Sequence, residues 1–303
     1  MITFPSLRPL VQVPMRPPAS RDAQPGAPAA LPPDRFVRRQ APTPASEGEG
    51  REAVVAKLDA AQAGLGWAQA PSEKIRLLAG MAQLRTDGAA DAIMRAFAEG
   101  LPSLTPARQA GLARTFQALV APGDGGMSAA KRAEVTAYLL KAFAAQPFNG
   151  DVQQQLGYAL ALSGSSAAAD ALIAHYKRSP ATGGETVHRG LYVLATCPHP
   201  KVTTFLVDEY GRLAANEAAR TQVLTALLDQ LKGAGLEQRE GALTAAPLQA
   251  TARGRDRVCQ VLLEEYARLD WDGWPNRKKE LLEVIAATGS DLALAAFTEE
   301  YPP

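Results

Sequence analysis

From residue 49 onward, apolar residues recur at spacings of three and four, the period of an α-helix with one buried face. An aromatic residue closes six of these stretches: Phe97, Phe143, Tyr176, Tyr210, Tyr266 and Tyr301. The intervals between them are 46, 33, 34, 56 and 35 residues, so three lie close to 34 and two are longer. Four residues before each aromatic stand Ile93, Leu139, Leu172, Leu206, Leu262 and Phe297. Eight before stand Ala89, Val135, Ala168, Val202, Val258 and Ala293, and seven before stand Ala90, Thr136, Ala169, Thr203, Cys259 and Leu294. Offsets of 0, 4, 7 and 8 trace a single stripe along a helix, so six B helices are predicted in one common register.

Twelve residues before the aromatic, Gly164, Pro198, Gly254 and Gly289 mark turns, with Arg85 and Lys131 departing from the pattern in the first two units. Ahead of that slot, Met81-Ala82, Leu160-Ala161, Leu194-Ala195 and Ile285-Ala286 end a preceding A helix. Each unit therefore reads as helix A, short turn, helix B. A single hairpin of this kind cannot bury its apolar face, so the pattern predicts an all-α stack, an α-solenoid of about six hairpins. A first capping helix is expected over Glu49–Ala63, with Val54, Leu58 and Ala61 on its inner face. The long intervals fall on two insertions, residues 121–126 and 233–251, the second expected to be the least ordered part of the body.

The first 46 residues differ in kind, with eleven prolines and six arginines against two aspartates. Residues 1–48 are accordingly expected to be a disordered Pro/Arg-rich tail, followed by a helical-repeat domain over 49–303. Within the tail, Phe36, Arg38 and Arg39 form a short motif that a partner could read; the plainer reading is a solvated linker. The chain carries a net charge of +1, so removing the basic tail leaves a mildly acidic body, and nucleic acid is not the expected partner. No apolar run approaches the roughly 18–20 residues of a membrane span. Prolines at 5, 9 and 14 break any apolar core of a secretory signal, which makes a cytoplasmic location the default expectation.

The hairpins resemble the HEAT and tetratricopeptide families of helical repeats. The unit 147–180 is closest to the latter, with Leu156-Gly157, Ala159, Gly164, Ala169 and Pro180 in nearly that family's register, while the 199–210 and 289–301 stretches look more like degenerate HEAT units. The resemblance covers residues 73–301. It implies a protein-binding scaffold or adaptor rather than an enzyme, by analogy of architecture.

Candidate chemistry is sparse. Cys197 and His199 stand two residues apart with His175 and His188 in neighbouring units, but no paired ligand spacing exists, and neither a metal nor another cofactor is expected. Pro198 occupies the turn slot, so Cys197 and His199 are read as turn residues, and Pro200 suits the first turn of the following helix. Acidic pairs at Asp208-Glu209, Glu264-Glu265 and Glu299-Glu300 occupy equal positions of three B helices. They form either an acidic docking row or ordinary surface ion pairs, Asp208 with Arg212 and Glu264 with Arg268; Glu299 and Glu300, at a helix end without such a partner, are the better functional candidates. Trp271, Trp274 and Arg277 interleave aromatic and basic groups. They are read as a partner surface or a plug between hairpins, and with Arg253, Arg255, Arg257, Lys278 and Lys279 they carry the alternative of a nucleic-acid-binding protein or enzyme on the same scaffold.

Overall fold

A computed structural model describes residues 44–123, 126–182, 188–232, 252–269, 273 and 275–300, with side chains from Gly50 onward except at 252, 253, 275, 299 and 300. The chain divides into the units Met1–Ala41 and Pro42–Pro303, and all described residues belong to the second. They are all-helical: α1 (Pro44–Ala63), α2 (Pro71–Leu84), α3 (Asp87–Gly100), α4 (Pro106–Val120), α5 (Ala129–Ala145), α6 (Asp151–Ser163), α7 (Ser166–Lys177), α8 (Arg189–Ala195), α9 (Pro200–Arg212), α10 (Glu217–Leu231), α11 (Ala252–Arg268), α12 (Pro275–Ala287) and α13 (Asp291–Glu300). Among these residues no helix is long and apolar enough to cross a membrane.

Of the six expected hairpins, α2/α3, α6/α7 and α12/α13 pack helix against helix, whereas α4/α5, α8/α9 and α10/α11 do not pair as hairpins. Each even helix from α2 to α10 contacts the next even one, and each odd helix from α1 to α11 contacts the next odd one. Within this arrangement α5, α9 and α11 pack chiefly against the even helix that follows rather than the one that precedes. The reason is local: α8 is a seven-residue stub, and the 121–128 and 232–251 connections are long enough to separate their helices.

The B-helix stripe is buried as its period demands. Offsets 0, 4 and 8 are core residues throughout α3, α5, α7, α9 and α11. Offset 7 is buried at Ala90, Ala169, Thr203 and Cys259, only partly buried at Thr136, and 68% exposed at Leu294 of α13. The inner face of α1 also differs from expectation. Val54 and Ala61 point outward, and the stripe is Val55, Leu58, Asp59 and Gln62, one residue round the helix. Two polar contacts set that rotation: Arg95 donates to Asp59 at 2.8 Å, and the Gly88 amide donates to Glu52 at 3.2 Å.

Turn chemistry follows the twelve-back slot only in part. Gly164 and Gly289 adopt the left-handed conformation at φ 61° and 59°, as helix-terminating glycines do. Gly254, expected in a turn, lies inside α11. The 194–200 stretch is an inter-helix turn: α8 ends at Ala195, Pro200 is the first residue of α9, and the His199 Nδ1 accepts the Lys201 amide as a cap. Cys197 is fully buried there, its carbonyl accepting from Gln230 Nε2 at 2.6 Å, and burial pushes its thiol up to about 11. Such a thiol is held protonated and acts as core.

The aromatics that close α5, α7 and α9 each meet the residue just before the aromatic of the next odd helix. Phe143 stacks edge-on against His175 with ring centres 5.1 Å apart. The Tyr176 hydroxyl donates to Glu209 at 2.9 Å, and the Tyr210 hydroxyl donates to Glu265 at 2.7 Å. Arg212 and Arg268, three residues beyond each glutamate, donate to Glu209 at 2.6 Å and to Glu265 at 3.1 Å. Arg220 of α10 also donates to the Tyr210 hydroxyl and lies 4.1 Å over its ring. This overturns the expected surface pairs. Arg212 and Arg268 bind the buried glutamates three residues before them, while Asp208 reaches across to Arg257 of α11 and Glu264 accepts from Gln260.

These buried bonds set two expectations. Tyr210→Phe leaves the Glu265 carboxylate short of a donor and should lower stability by about 1.5–3 kcal/mol in urea unfolding; Asp208→Asn, which breaks an exposed pair, should change it by less than about 1 kcal/mol. The hydrogen bonds from Arg212 hold the Glu209 carboxyl below its usual range, with Tyr176 adding to them against the opposing effect of burial. Folding lowers this pKa, so the linked stability is present above the ordinary glutamate range and fades as pH falls through the folded value. Glu209→Gln should therefore flatten the acid limb of a stability–pH curve. Burial pushes the Tyr210 hydroxyl up to about 12, so its share is lost in alkali as pH rises from about 10 towards 12.

Candidate functional site

Helix α8 is short while α6 and α10 beside it have 13 and 15 residues, and a cleft of about 200 Å³ opens along α8 and α10. One wall is the stripe Thr221, Thr225 and Asp229 of α10, spaced by four and therefore aligned. The other carries His188 and Tyr192, the latter 45% exposed. Leu191 and Ala226 form the apolar floor.

The α10 wall offers acceptors at Thr221, Thr225 and Asp229, and Gln222 also lines the cleft. Thr221 and Thr225 each donate their hydroxyl to the carbonyl four residues back, which turns their lone pairs outward for use. Asp229 is half-buried and accepts no hydrogen bond among the described residues. Burial raises its carboxyl above the usual aspartate range; the Lys232 charge opposes this, Glu280 reinforces it and Arg277 opposes it again. His188 is held in place by a hydrogen bond from its Nε2 to the Ser179 carbonyl and by its ring 5.0 Å from that of Tyr176. An aromatic face beside a carboxylate and the Thr221 hydroxyl acceptor suits a donor-rich cation, an ammonium or a guanidinium, while Thr225 already accepts from Arg277. The volume is below the roughly 300–1,000 Å³ of sites for drug-sized molecules, so one side chain is the fitting guest.

Of the candidates taken from the sequence, Arg277 reaches this site. It donates to Thr225 Oγ1 at 3.1 Å and to Glu280 at 2.8 Å, and Glu280 also pairs with Lys232. Arg277 is thus a supporting group for the α10 wall. Burial raises the Glu280 carboxyl, but the bonds from Lys232 and Arg277 outweigh it and leave the pKa lowered. Phe36, Arg38, Arg39, Trp271 and Trp274 lie outside the described residues, as do the side chains of Glu299 and Glu300 and the 233–251 insertion. Arg257 is paired with Asp208, and Lys278 is buried with its ammonium 4.7 Å over the Tyr266 ring. Tyr192 and Asp229 were not found by sequence reasoning. A signal existed in the pair "GYALA" and "LYVLA", which puts Tyr158 and Tyr192 at one position of successive A helices, off the buried stripe.

Among the described residues no three His, Cys, Asp or Glu side chains converge as a metal site. His175 lies against Phe143 and Phe148, and burial, with the Arg178 charge, lowers its pKa. No protein-family model matches the chain, and no curated protein or solved structure is significantly similar to it.

The half-buried Asp229 carboxylate gives this cleft a measurable signature. Folding raises the Asp229 pKa, so its ionised form opposes folding above that value and ceases to do so as pH falls below the ordinary aspartate range. Asp229→Asn should raise the urea midpoint at pH 7 and lose that advantage in acid. Glu280→Gln should act in the opposite direction, because Lys232 and Arg277 would both lose their acceptor.

Proposed function

We propose that the chain is a non-enzymatic adaptor, an α-solenoid of HEAT-like hairpins that holds a partner protein on its even-helix face. The cleft between α8 and α10 is the anchor point in this reading and takes a lysine or arginine side chain of the partner. The observation that carries it is that exposed Tyr192 and Asp229, which accepts no hydrogen bond among the described residues, line one cleft. Asp229 is retained there although its burial opposes its charge.

The contact series of even with even and odd with odd helices supports the solenoid part of the proposal, since stacked hairpins require both. A nucleic-acid reading is not favoured, because Arg257, Arg277 and Lys278 of the basic segment are each occupied within the fold. The test is affinity purification with the full-length chain and its Tyr192→Ala and Asp229→Asn variants as baits. A partner retained by the parent and depleted at least tenfold by both variants is expected. Identical recovery by all three baits would sink the proposal.

A further inference from the structure

A second recess lies on the other side of the hairpins, where the intra-hairpin turns of the first four units come together. It has a volume of about 270 Å³, and among the described residues its charged lining groups are Arg85 and Arg132, with no carboxylate beside them. Pro122, Met127, Leu162 and Pro198 supply apolar walls.

Arg85 is unusual in its backbone. It stands at φ 50° in the slot where Gly164 and Gly289 stand at 61° and 59°. A side chain there carries a strain of order 1 kcal/mol that glycine would avoid. Arg85 is held stiffly in return: Nε donates to Ala118 O at 3.1 Å and Nη1 to Pro122 O at 2.8 Å, at the carbonyl end of α4. The chain at Gly123 passes so close that a Cβ there would sit 2.3 Å from Nη1. The guanidinium is therefore fixed before any guest arrives, while its Nη2 has no acceptor among the described residues. Arg132 is exposed and makes no ion pair there either, although its neighbour Lys131 makes two.

We propose that this recess binds a carboxylate side chain of an extended acidic segment, carried by a partner protein, between Arg85 and Arg132. Two guanidinium groups of one sign call for an oxyanion. The apolar walls favour a peptide, which brings aliphatic neighbours, over a free inorganic anion. The inference rests on the adaptor reading but uses a different face and different residues.

The probe is a fluorescein-labelled hexapeptide of alternating leucine and glutamate, titrated against the full-length chain by fluorescence anisotropy. The leucine–glutamine counterpart should bind at least tenfold more weakly, and Arg132→Gln, at an exposed position, should weaken the glutamate peptide at least tenfold. Binding should also fall as sodium chloride is raised from 50 to about 500 mM. Tyr192→Ala should leave it unchanged, so failure here is separable from failure of the α8–α10 anchor. Equal binding of the two peptides, indifference to Arg132→Gln, or displacement by inorganic phosphate at the concentration of the peptide itself would each overturn the proposal.

Discussion

From α7 to α11 the odd helices are joined by one recurring bond, a buried tyrosine hydroxyl donating to a carboxylate of the next odd helix. A hairpin has no closed core of its own, so its stability lies in the junction with its neighbour. At Tyr176–Glu209 and Tyr210–Glu265 that junction is directional and ionic, and an arginine three residues past the glutamate completes it. The glutamate is buried and charged, which is tolerable only because the tyrosine and the arginine both satisfy it. A one-residue slip between α9 and α11 would remove the tyrosine from its acceptor, so the bond fixes register as well as adhesion.

Much of this architecture was legible in the sequence because a helix stripe leaves a period that needs no knowledge of neighbours. Ile93, Leu139, Leu172, Leu206 and Leu262 could be aligned by counting, and all five are core. What was not legible is whatever depends on two helices at once. Glu209 and Glu265 look like surface acids beside Arg212 and Arg268, and their partners Tyr176 and Tyr210 stand 33 and 55 residues earlier. The inner face of α1 was misplaced by one residue for the same reason: Asp59 and Glu52 bind α3, and propensity along a single helix does not contain that information.

The candidate cleft was harder still. Arg277 drew attention by its charge and its aromatic neighbours, yet it supports the α10 wall from behind. Tyr192 and Asp229 are separated by 37 residues and become neighbours only because α8 is short and α10 is long. Helix length, unlike helix phase, depends on where flanking segments leave the fold, and the sequence around residues 183–188 carries no strong stop signal beyond Gly183-Gly184.

The junctions are not made of one material. Around Phe97 and Phe143 the contacts are aromatic, with Phe116, Tyr138 and His175, whereas beyond Tyr176 they are hydroxyl-to-carboxylate. Apolar burial loses strength on cooling, while ion-assisted bonds answer to protons and to dissolved salt. The junctions along the described helices consequently soften under different conditions. Cold loosens those at Phe97 and Phe143, acid loosens those at Glu209 and Glu265, and the solvent decides which lets go first.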